Sequence, residues 1–141
     1  MRKYLAACLL VAWMFACFGC GNSSGIYPVS GKLFYRGEPA VGATVTFVRK
    51  GVTDRTKEQT PQGVVADDGT FSLASPVGAG ALPGEYAVLV EWKAGADKIK
   101  GRSPGLNAPD RLKRRYLDPT RPLLTATVEA KANSLPPFEL Q

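Results

Sequence analysis

Apolar and polar residues alternate along several short stretches of this chain, and turns rich in Gly and Pro separate these stretches. The alternation is clearest in residues 29–35, 43–48 and 85–92. In the last of these, one side carries Tyr86, Val88, Val90 and Trp92. A period of two is typical of a strand with one buried face. No stretch keeps a helical period over a dozen residues, so the pattern predicts an all-β domain.

Four further strands are predicted at residues 63–66, 70–74, 123–129 and 135–140. Between the first two, Asp67-Asp68-Gly69 predicts a tight hairpin turn because Gly accepts a positive φ. The last strand contains Pro136 and Pro137, which cannot donate ladder hydrogen bonds, so we expect it to be an edge strand or only partly paired. About seven short strands predict a small Ig-like β-sandwich.

The first twenty residues follow a different pattern. Arg2 and Lys3 precede an uncharged apolar run over residues 4–18, and Gly19 and Cys20 follow it. A basic start, an apolar run and a small residue before the break are typical of a cleavable export signal. As a helix the run would span roughly 22 Å, less than the ~30 Å hydrocarbon core of a bilayer, so it is not predicted to remain as a membrane-spanning helix.

The sequence around Cys20 resembles the signal peptides of bacterial lipoproteins, which are cut before a cysteine that then carries a diacylglyceryl group and an N-acyl chain such as palmitate. The resemblance implies a signal peptide over residues 1–19, lipidation of Cys20 and a flexible tether over residues 20–26, which reaches on the order of 20 Å. More than one acyl chain gives stable anchoring. Gly21 is not the Asp that retains some lipoproteins at the inner membrane, which favours the outer membrane of the cell envelope.

Two alternatives to lipidation at Cys20 stay open. Cleavage before Cys17 would follow Met14, Phe15 and Ala16, which match the preferred residues no better than those before Cys20 do. The segment also fits a plain secretory signal in which the cysteine has no role.

The cysteine and histidine content narrows the chemistry. All three cysteines, Cys8, Cys17 and Cys20, lie in the first twenty residues, so the body has no disulfide framework. The chain has no histidine, which removes the commonest general base and a frequent metal ligand. We therefore predict no catalytic residues, no metal, no cofactor and no enzyme activity. Turnover of an envelope substrate would be the observation that establishes an enzyme instead.

The body, residues 27–141, resembles the carboxypeptidase-regulatory-like family, a transthyretin-like sandwich common in bacterial surface lipoproteins. The resemblance is carried by PVSGKLFYRGEPAVGATVTF at residues 28–47, DGTF at 68–71, PGEYAV at 83–88 and YLDPTRPLLTATV at 116–128. It covers about residues 28–140 and departs from the family pattern at Pro136 and Pro137. A related transthyretin-like enzyme that hydrolyses hydroxyisourate relies on histidines, so the resemblance does not imply that activity here.

Positive charge is concentrated in residues 93–115, where eight Lys and Arg residues face two Asp residues. Gly and Pro predict a solvated loop there. Lys113, Arg114 and Arg115 are candidate contacts to anionic lipid headgroups or acidic polymers. An ordinary solvated loop is the alternative. No nucleic-acid partner is predicted, because export removes the protein from nucleic acid and no aromatic platform accompanies these charges.

Taken together, the sequence predicts a lipid-anchored, non-catalytic β-sandwich of the cell envelope that acts as a structural or binding module. Its partners would be the membrane, through the lipid anchor, and envelope proteins, polysaccharide or anionic surfaces. The alternative function is a carbohydrate-binding module at the cell surface, with Trp92 and Tyr116 as candidate sugar contacts. Trp92 shares a face with Tyr86, Val88 and Val90, so packing in the core is the competing interpretation for this residue.

Overall fold

The computed structural model describes residues 25–52, 60–98, 105 and 107–141. In this part of the chain eleven strands form two sheets, which confirms the all-β prediction. The strands are β1 (Val29–Tyr35), β2 (Glu38–Pro39), β3 (Thr44–Arg49), β4 (Gln62–Val64), β5 (Thr70–Ser72), β6 (Ala74–Ser75), β7 (Gly78–Ala79), β8 (Gly84–Glu91), β9 (Leu124–Val128), β10 (Asn133–Ser134) and β11 (Phe138–Leu140). A 3₁₀ turn spans Ala96–Lys98.

The predicted signal peptide and Cys20 lie outside the described residues, as do residues 99–104 and 106 of the basic segment. Within the described ranges, no helix is long and apolar enough to cross a membrane.

The first sheet is built around β1. On one side β1 pairs antiparallel with β2 and β5, and on the other it pairs parallel with β10 and β11. The second sheet has the strand order β7-β6-β4-β3-β8-β9, in which all neighbours are antiparallel. Its centre is the long pairing of β3 with β8, from Thr44 opposite Glu91 to Arg49 opposite Tyr86.

The two sheets face each other across one hydrophobic core. The alternation in the sequence selects the inward side of each strand, so β8 buries Tyr86, Val88 and Val90 while Thr125 and Thr127 of β9 are exposed. The largest fully buried side chains come from both sheets: Phe47, Leu33, Leu140, Val45, Val65, Val88, Val90 and Val128. At ~1.5–3 kcal/mol for each fully buried aliphatic or aromatic side chain, this core is the main stabilising feature of the domain.

Gly31 lies in the middle of β1 because an aromatic ring occupies the space that its side chain would fill. A Cβ at Gly31 would lie 2.7 Å from Cζ of Phe71, which is opposite it on β5. Phe71 in turn stacks on Phe138 of β11 with ring centroids 6.3 Å apart. The missing side chain therefore lets Phe71 reach across β1. A turn or bulge is not the reason for this glycine, since its φ is not positive.

The turn at Asp67-Asp68-Gly69 forms as predicted, but its flanking strands do not pair as a hairpin. Gly69 has a φ of 82°, and its N–H donates to the carbonyl of Ala66 over 2.9 Å. After the turn, β5 joins β1 in the first sheet, whereas β4 belongs to the second sheet beside β3. The turn thus carries the chain from one sheet to the other, which a local alternation pattern cannot distinguish from a hairpin.

The C-terminal strand is interrupted at its two prolines, which agrees with the expectation of partial pairing. β10 and β11 both pair with β1, and residues 135–137 lie between them. Val29 is opposite Asn133, but Leu33 is opposite Phe138, so the C-terminal segment contains one extra residue. An extra residue opposite a regular strand is a β-bulge, a position where proline is accommodated.

β1 and β8 run in the same direction through the sandwich and define its two ends. At the end where both strands begin, here called the lower end, Tyr27 and Ala81 exchange backbone hydrogen bonds of 2.9 and 3.0 Å. At the end where both finish, the upper end, the rings of Tyr35 and Trp92 are in edge contact with centroids 5.7 Å apart. The chain therefore enters the described fold at the lower end.

Candidate functional site

Residues 109–116 cover the edge of β8 at the upper end of the sandwich. β9 pairs with β8 only as far as Val88. Beyond that point the N–H of Val90 donates to the carbonyl of Tyr116 over 3.1 Å, and the N–H of Arg111 donates to the carbonyl of Trp92 over 2.7 Å. Leu112 and Tyr116 are buried, with 7% and 6% of their surfaces exposed. This part of the basic segment is therefore an ordered element of the fold, unlike the solvated loop expected from its composition.

The carboxylate of Asp110 links this segment to β8. Oδ1 accepts the N–H of Trp92 over 2.8 Å, and Oδ2 accepts the N–H of Arg114 over 2.6 Å. The backbone carbonyl of Asp110 also accepts the N–H of Lys113 over 3.1 Å. One acidic side chain thus satisfies two backbone donors that no strand neighbour reaches, and it fixes the turn that displays Lys113 and Arg114.

The ring of Trp92 lies against the guanidinium group of Arg111. Trp92 is 5% exposed, and its Nε1–H donates to the carbonyl of Val41 over 2.9 Å. The guanidinium carbon of Arg111 lies 3.7 Å from the centroid of the ring, within the range of a cation–π contact. Tyr35, whose edge contacts Trp92, carries Arg36 at 5.2 Å in the same way.

A second set of contacts joins Arg36 and Arg115 through the last residues of the chain. The N–H of Arg36 donates to the carbonyl of Leu140 over 3.1 Å, and Nη1 of Arg115 donates to the carbonyl of Gln141 over 3.1 Å. The hydroxyl of Tyr116 accepts the N–H of Gln141 over 3.0 Å. Residues 140 and 141 thereby contact both Arg36, through its backbone N–H, and Arg115, through its guanidinium group.

These contacts gather five exposed cations at the upper end. We call them the cationic rim: Arg36, Arg111, Lys113, Arg114 and Arg115. Among the described residues, no side-chain oxygen of Asp or Glu lies within 4.0 Å of a charged nitrogen of the rim. The ion pairs of the described chain lie elsewhere, at Glu91–Lys93, Asp118–Arg121 and Glu129–Lys131. The rim therefore presents guanidinium and ammonium groups that form no ion pair with an Asp or Glu side chain of the described residues, although the carboxylate of Asp110 lies within the same segment.

The backbone beneath the rim is strained. Lys113 and Arg114 have φ values of 53° and 62°, and Arg36 has a φ of 52°. These values lie in the left-handed region, which costs a non-glycine residue roughly 1–2 kcal/mol. They are the three non-glycine residues with positive φ in the described ranges. Arg36 and Gly37 form the two-residue turn between β1 and β2, where positive φ is expected, whereas Lys113 and Arg114 lie in the segment held by Asp110. Strain of this kind persists where surrounding contacts determine the conformation, and it clusters at functional sites.

Lys113, Arg114 and Arg115, the candidate contacts to anions, are exposed next to one another on the surface. Trp92 and Tyr116 are buried, so they do not form the exposed aromatic platform that sugar stacking requires, and packing in the core is the interpretation that fits Trp92. Arg36, Arg111 and Asp110 were not singled out from the sequence. The spacing of Leu112 and Tyr116 within a basic segment was the available signal that this segment packs against the sandwich.

A groove outside the rim has no charge preference that would define a site. A groove of about 380 Å³ lies between β9 and residues 135–138, and its charged lining groups are Lys50 and Glu85. One cation and one anion on an open groove do not select a ligand charge. Among the described residues, no three His, Cys, Asp or Glu side chains lie close enough together to hold a metal ion.

Two exposed aspartates form matching turns outside the rim. Hydrogen bonds from the side chain and the N–H of Thr70 hold the pKa of Asp68 below its ordinary value of 3.8. Thr120 does the same for the pKa of Asp118, with smaller effects from the N–H and the charge of Arg121. Both carboxylates are committed to closing their own turns, which is a structural role.

No family model matches the sequence, and no curated protein matches it significantly. In a comparison with solved structures, the chain is similar to a DUF3823 family protein from Parabacteroides merdae, with 17% sequence identity and a TM-score of 0.40. The likeness covers 80% of this chain and 44% of that protein, so the chain spans less than half of its length. No inference about ligand or activity follows from a likeness at this level.

Proposed function

We propose that this protein is a lipid-anchored, non-catalytic β-sandwich of the cell envelope that binds an anionic partner through its cationic rim. The observation that carries the proposal is the rim itself. Five exposed cations that form no ion pair with an Asp or Glu side chain of the described residues lie together at this end. Four of them belong to residues 109–116, which Asp110 and the ring of Trp92 hold in place, and the fifth, Arg36, lies on the ring of Tyr35. An ordinary solvated loop needs neither the bracing nor the strained backbone.

The anchor is proposed from the sequence. The basic start, the apolar run and Cys20 resemble a lipoprotein signal, and only residues 21–25 separate Cys20 from Ile26, which is buried with 4% of its surface exposed. A domain attached in this way would stay close to its membrane, for which we propose the outer membrane. The body would be a carboxypeptidase-regulatory-like sandwich, because the sequence stretches that carry that resemblance supply β1, the Gly69 turn and β8.

A non-catalytic role is supported by the side chains available. The chain has no histidine, and its cysteines end at Cys20. Both carboxylate oxygens of Asp110, the acid within the braced segment, accept backbone N–H groups. The rim is thus suited to holding negative charge, and it offers no evident group to move a proton.

The anchor is tested by growing cells with an alkyne analogue of palmitate and detecting the label on the full chain. We expect the wild type and Cys17→Ser to be labelled and to sediment with membranes, and Cys20→Ser to lose both properties. Label that disappears in Cys17→Ser but remains in Cys20→Ser would move the anchor to Cys17. Absence of label from the wild type would reject the lipid anchor.

Binding by the rim is tested with the full chain, purified from membranes in neutral detergent and passed over immobilised polygalacturonate. A rim variant combines Arg111→Gln, Lys113→Gln, Arg114→Gln and Arg115→Gln. A control variant removes the same charge elsewhere through Lys32→Gln, Lys50→Gln, Arg121→Gln and Lys131→Gln. We expect the rim variant to bind at least tenfold more weakly than the control at low salt, because exposed charges act within a Debye length of ~10 Å at 0.1 M salt.

Neutral dextran distinguishes charge recognition from sugar recognition. We expect no retention on dextran by any of the proteins. Equal affinity of the rim variant and the control variant for polygalacturonate would reject the rim as the binding surface. Equal retention on dextran and polygalacturonate would favour a carbohydrate-binding module that recognises neutral sugars.

A further inference from the structure

The cationic rim and the point where the chain enters the fold lie at opposite ends of the sandwich. Gly25 and Ile26 lie at the lower end, where a Cβ on Gly25 would be 3.8 Å from Cδ2 of Leu82 and Ile26 Cδ1 is equally close to the Cβ position of Gly78. Arg36 follows the last residue of β1, and Arg111 lies on Trp92, just beyond β8. At ~3.3 Å per residue, β1 and β8 separate the two ends by roughly 20–26 Å.

We infer that the rim faces away from the membrane that anchors the protein. Its partner is an acidic polysaccharide in the aqueous phase on the same side of the membrane as the domain. This inference rests on the proposed anchor at Cys20 and on the proposed binding role of the rim. It excludes the alternative in which the same cations hold the domain down on the headgroups of its own membrane.

The reach of the chain supports this orientation. Between Cys20 and Ile26 the chain spans at most about 20 Å even when fully extended. That is no more than the length of the sandwich, so bringing the rim onto the anchoring bilayer requires the domain to invert on a fully extended chain or to lie flat. With the lower end against the bilayer, the rim stands at least two Debye lengths away, since the Debye length is ~8–10 Å near physiological salt, and the headgroup charge is screened.

Two of the four large exposed hydrophobic residues of the described chain lie beside the chain entrance at the lower end, while Val64 is at the upper end opposite Thr44. The two at the lower end are Val77 and Leu82, with 54% and 43% of their surfaces accessible. Both are next to the chain entrance, since Val77 precedes Gly78 and Leu82 is near Gly25. Apolar side chains at this end would lie in the membrane interface, whereas the rim end would lie in the aqueous phase.

The composition of the rim favours a polymer of repeated anions over a folded protein. Protein interfaces usually have an apolar core inside a polar edge. The large exposed hydrophobic residues of the described chain are Val64, Val77, Leu82 and Leu123, and none of them belongs to the rim or to residues 109–116. Four of the five rim residues are arginines, whose planar guanidinium groups match carboxylate and phosphate oxygens in pairs.

The test places the lipidated full chain in vesicles and measures two quantities. Single thiols are introduced by Lys113→Cys in the rim and by Val77→Cys at the lower end, and each is labelled with a fluorophore. Vesicles of neutral lecithin or of lecithin with phosphatidylglycerol contain a lipid with a headgroup quencher. In vesicles of the same two compositions that carry the unlabelled wild type, capture of soluble fluorescent polygalacturonate is compared with capture of neutral fluorescent dextran.

We expect quenching of the label at position 77 and little quenching at position 113 in both kinds of vesicle. We also expect at least tenfold more capture of polygalacturonate than of dextran. Quenching at position 113 equal to or greater than that at position 77 in anionic vesicles would overturn the inference, as would loss of polymer capture there. If the wild type does not bind polygalacturonate even in neutral detergent, the proposed function fails as well. Binding that persists in detergent but disappears in anionic vesicles overturns the orientation alone.

Discussion

The two ends of the sandwich handle positive charge in different ways. At the lower end, Arg49 donates to the carbonyl of Pro83 over 2.8 Å, and Lys131 pairs with Glu129. At the upper end, the cationic rim forms no ion pair with an Asp or Glu side chain of the described residues, and Lys113 and Arg114 adopt a strained backbone. The cations named at the lower end contact acceptors of the protein itself, whereas the side chains of the rim at the upper end are exposed and form no ion pair with Asp or Glu of the described residues.

The framework at each end is held by different interactions. At the lower end the chain makes a close backbone contact between Gly80 and Tyr27. At the upper end, packing of Trp92 and hydrogen bonds to Asp110 hold residues 109–116 against β8. Substitutions at these positions should therefore show how much the stability of the sandwich depends on each end, and how far the conformation of residues 109–116 depends on Trp92 and Asp110.

The largest effect is expected at the lower end from Gly80→Ala. Gly80 has a φ of 117°, and a Cβ there would lie 1.9 Å from the carbonyl oxygen of Tyr27, so the backbone must shift. We expect a loss of about 3 kcal/mol or more in the free energy of unfolding, measured by denaturant titration. Gly51→Ala is the matched control, since Gly51 has a φ of 78° with nothing within 4 Å of its Cβ position. Equal losses in the two variants would contradict the close contact.

At the upper end, Trp92→Ala should destabilise by about 3–5 kcal/mol, the range for removing a buried large aromatic side chain. It also removes the ring under Arg111 and the donor to Val41. Trp92→Phe keeps a ring in the core and should cost less. A loss below 1 kcal/mol for Trp92→Ala in the same denaturant titration would show that residues 109–116 do not depend on this ring.

Asp110→Asn tests the two hydrogen bonds through which the Asp110 carboxylate holds residues 109–116 against β8. The amide keeps one acceptor oxygen, so the N–H of Trp92 or that of Arg114 loses its partner, at about 1–3 kcal/mol. Hydrogen exchange should become faster at whichever of these two amides loses its partner. Asp97→Asn is the control, because Asp97 is exposed in the 3₁₀ turn and its loss should change stability by less than ~0.5 kcal/mol. Identical exchange rates in the wild type and Asp110→Asn would remove Asp110 from this role.

The difference between the two ends was only partly predictable from the sequence. β1 was predicted with its observed bounds because alternation and the following Arg36-Gly37 turn are local features. The strands before and after the Gly69 turn, β4 and β5, join different sheets because β4 pairs with β3 and β5 pairs with β1. The alternation of apolar and polar residues does not encode these pairings. Lys113, Arg114 and Arg115 were found by their charge. Arg111 belongs to the same basic segment, but its place on Trp92 and the presence of Arg36 beside it depend on contacts between residues far apart in sequence.

Relief of strain in the rim should have a smaller effect, of opposite sign. Lys113→Gly places the residue best suited to positive φ at a φ of 53°, so we expect a gain of about 0.5 kcal/mol in the free energy of unfolding. The same variant should bind polygalacturonate more weakly, because it removes one charge of the rim. Lys98→Gly is the control, since Lys98 does not have positive φ and its replacement should destabilise. A loss of stability in Lys113→Gly would mean that the left-handed backbone is not strained.

The smallest effect concerns acid and the two aspartate turns, which lie outside the rim. Hydrogen bonds from Thr70 and Thr120 lower the folded-state pKa values of Asp68 and Asp118 below 3.8. A lowered folded-state pKa means that the unfolded chain binds protons more readily, so these carboxylates stabilise the fold above about pH 4. That stability should be lost as the pH falls through the lower folded-state values. Replacing Thr70 and Thr120 by Val removes the hydroxyl donors and should flatten the decline in melting temperature between pH 4 and pH 2. An unchanged slope would show that carboxylates elsewhere in the chain control its acid sensitivity.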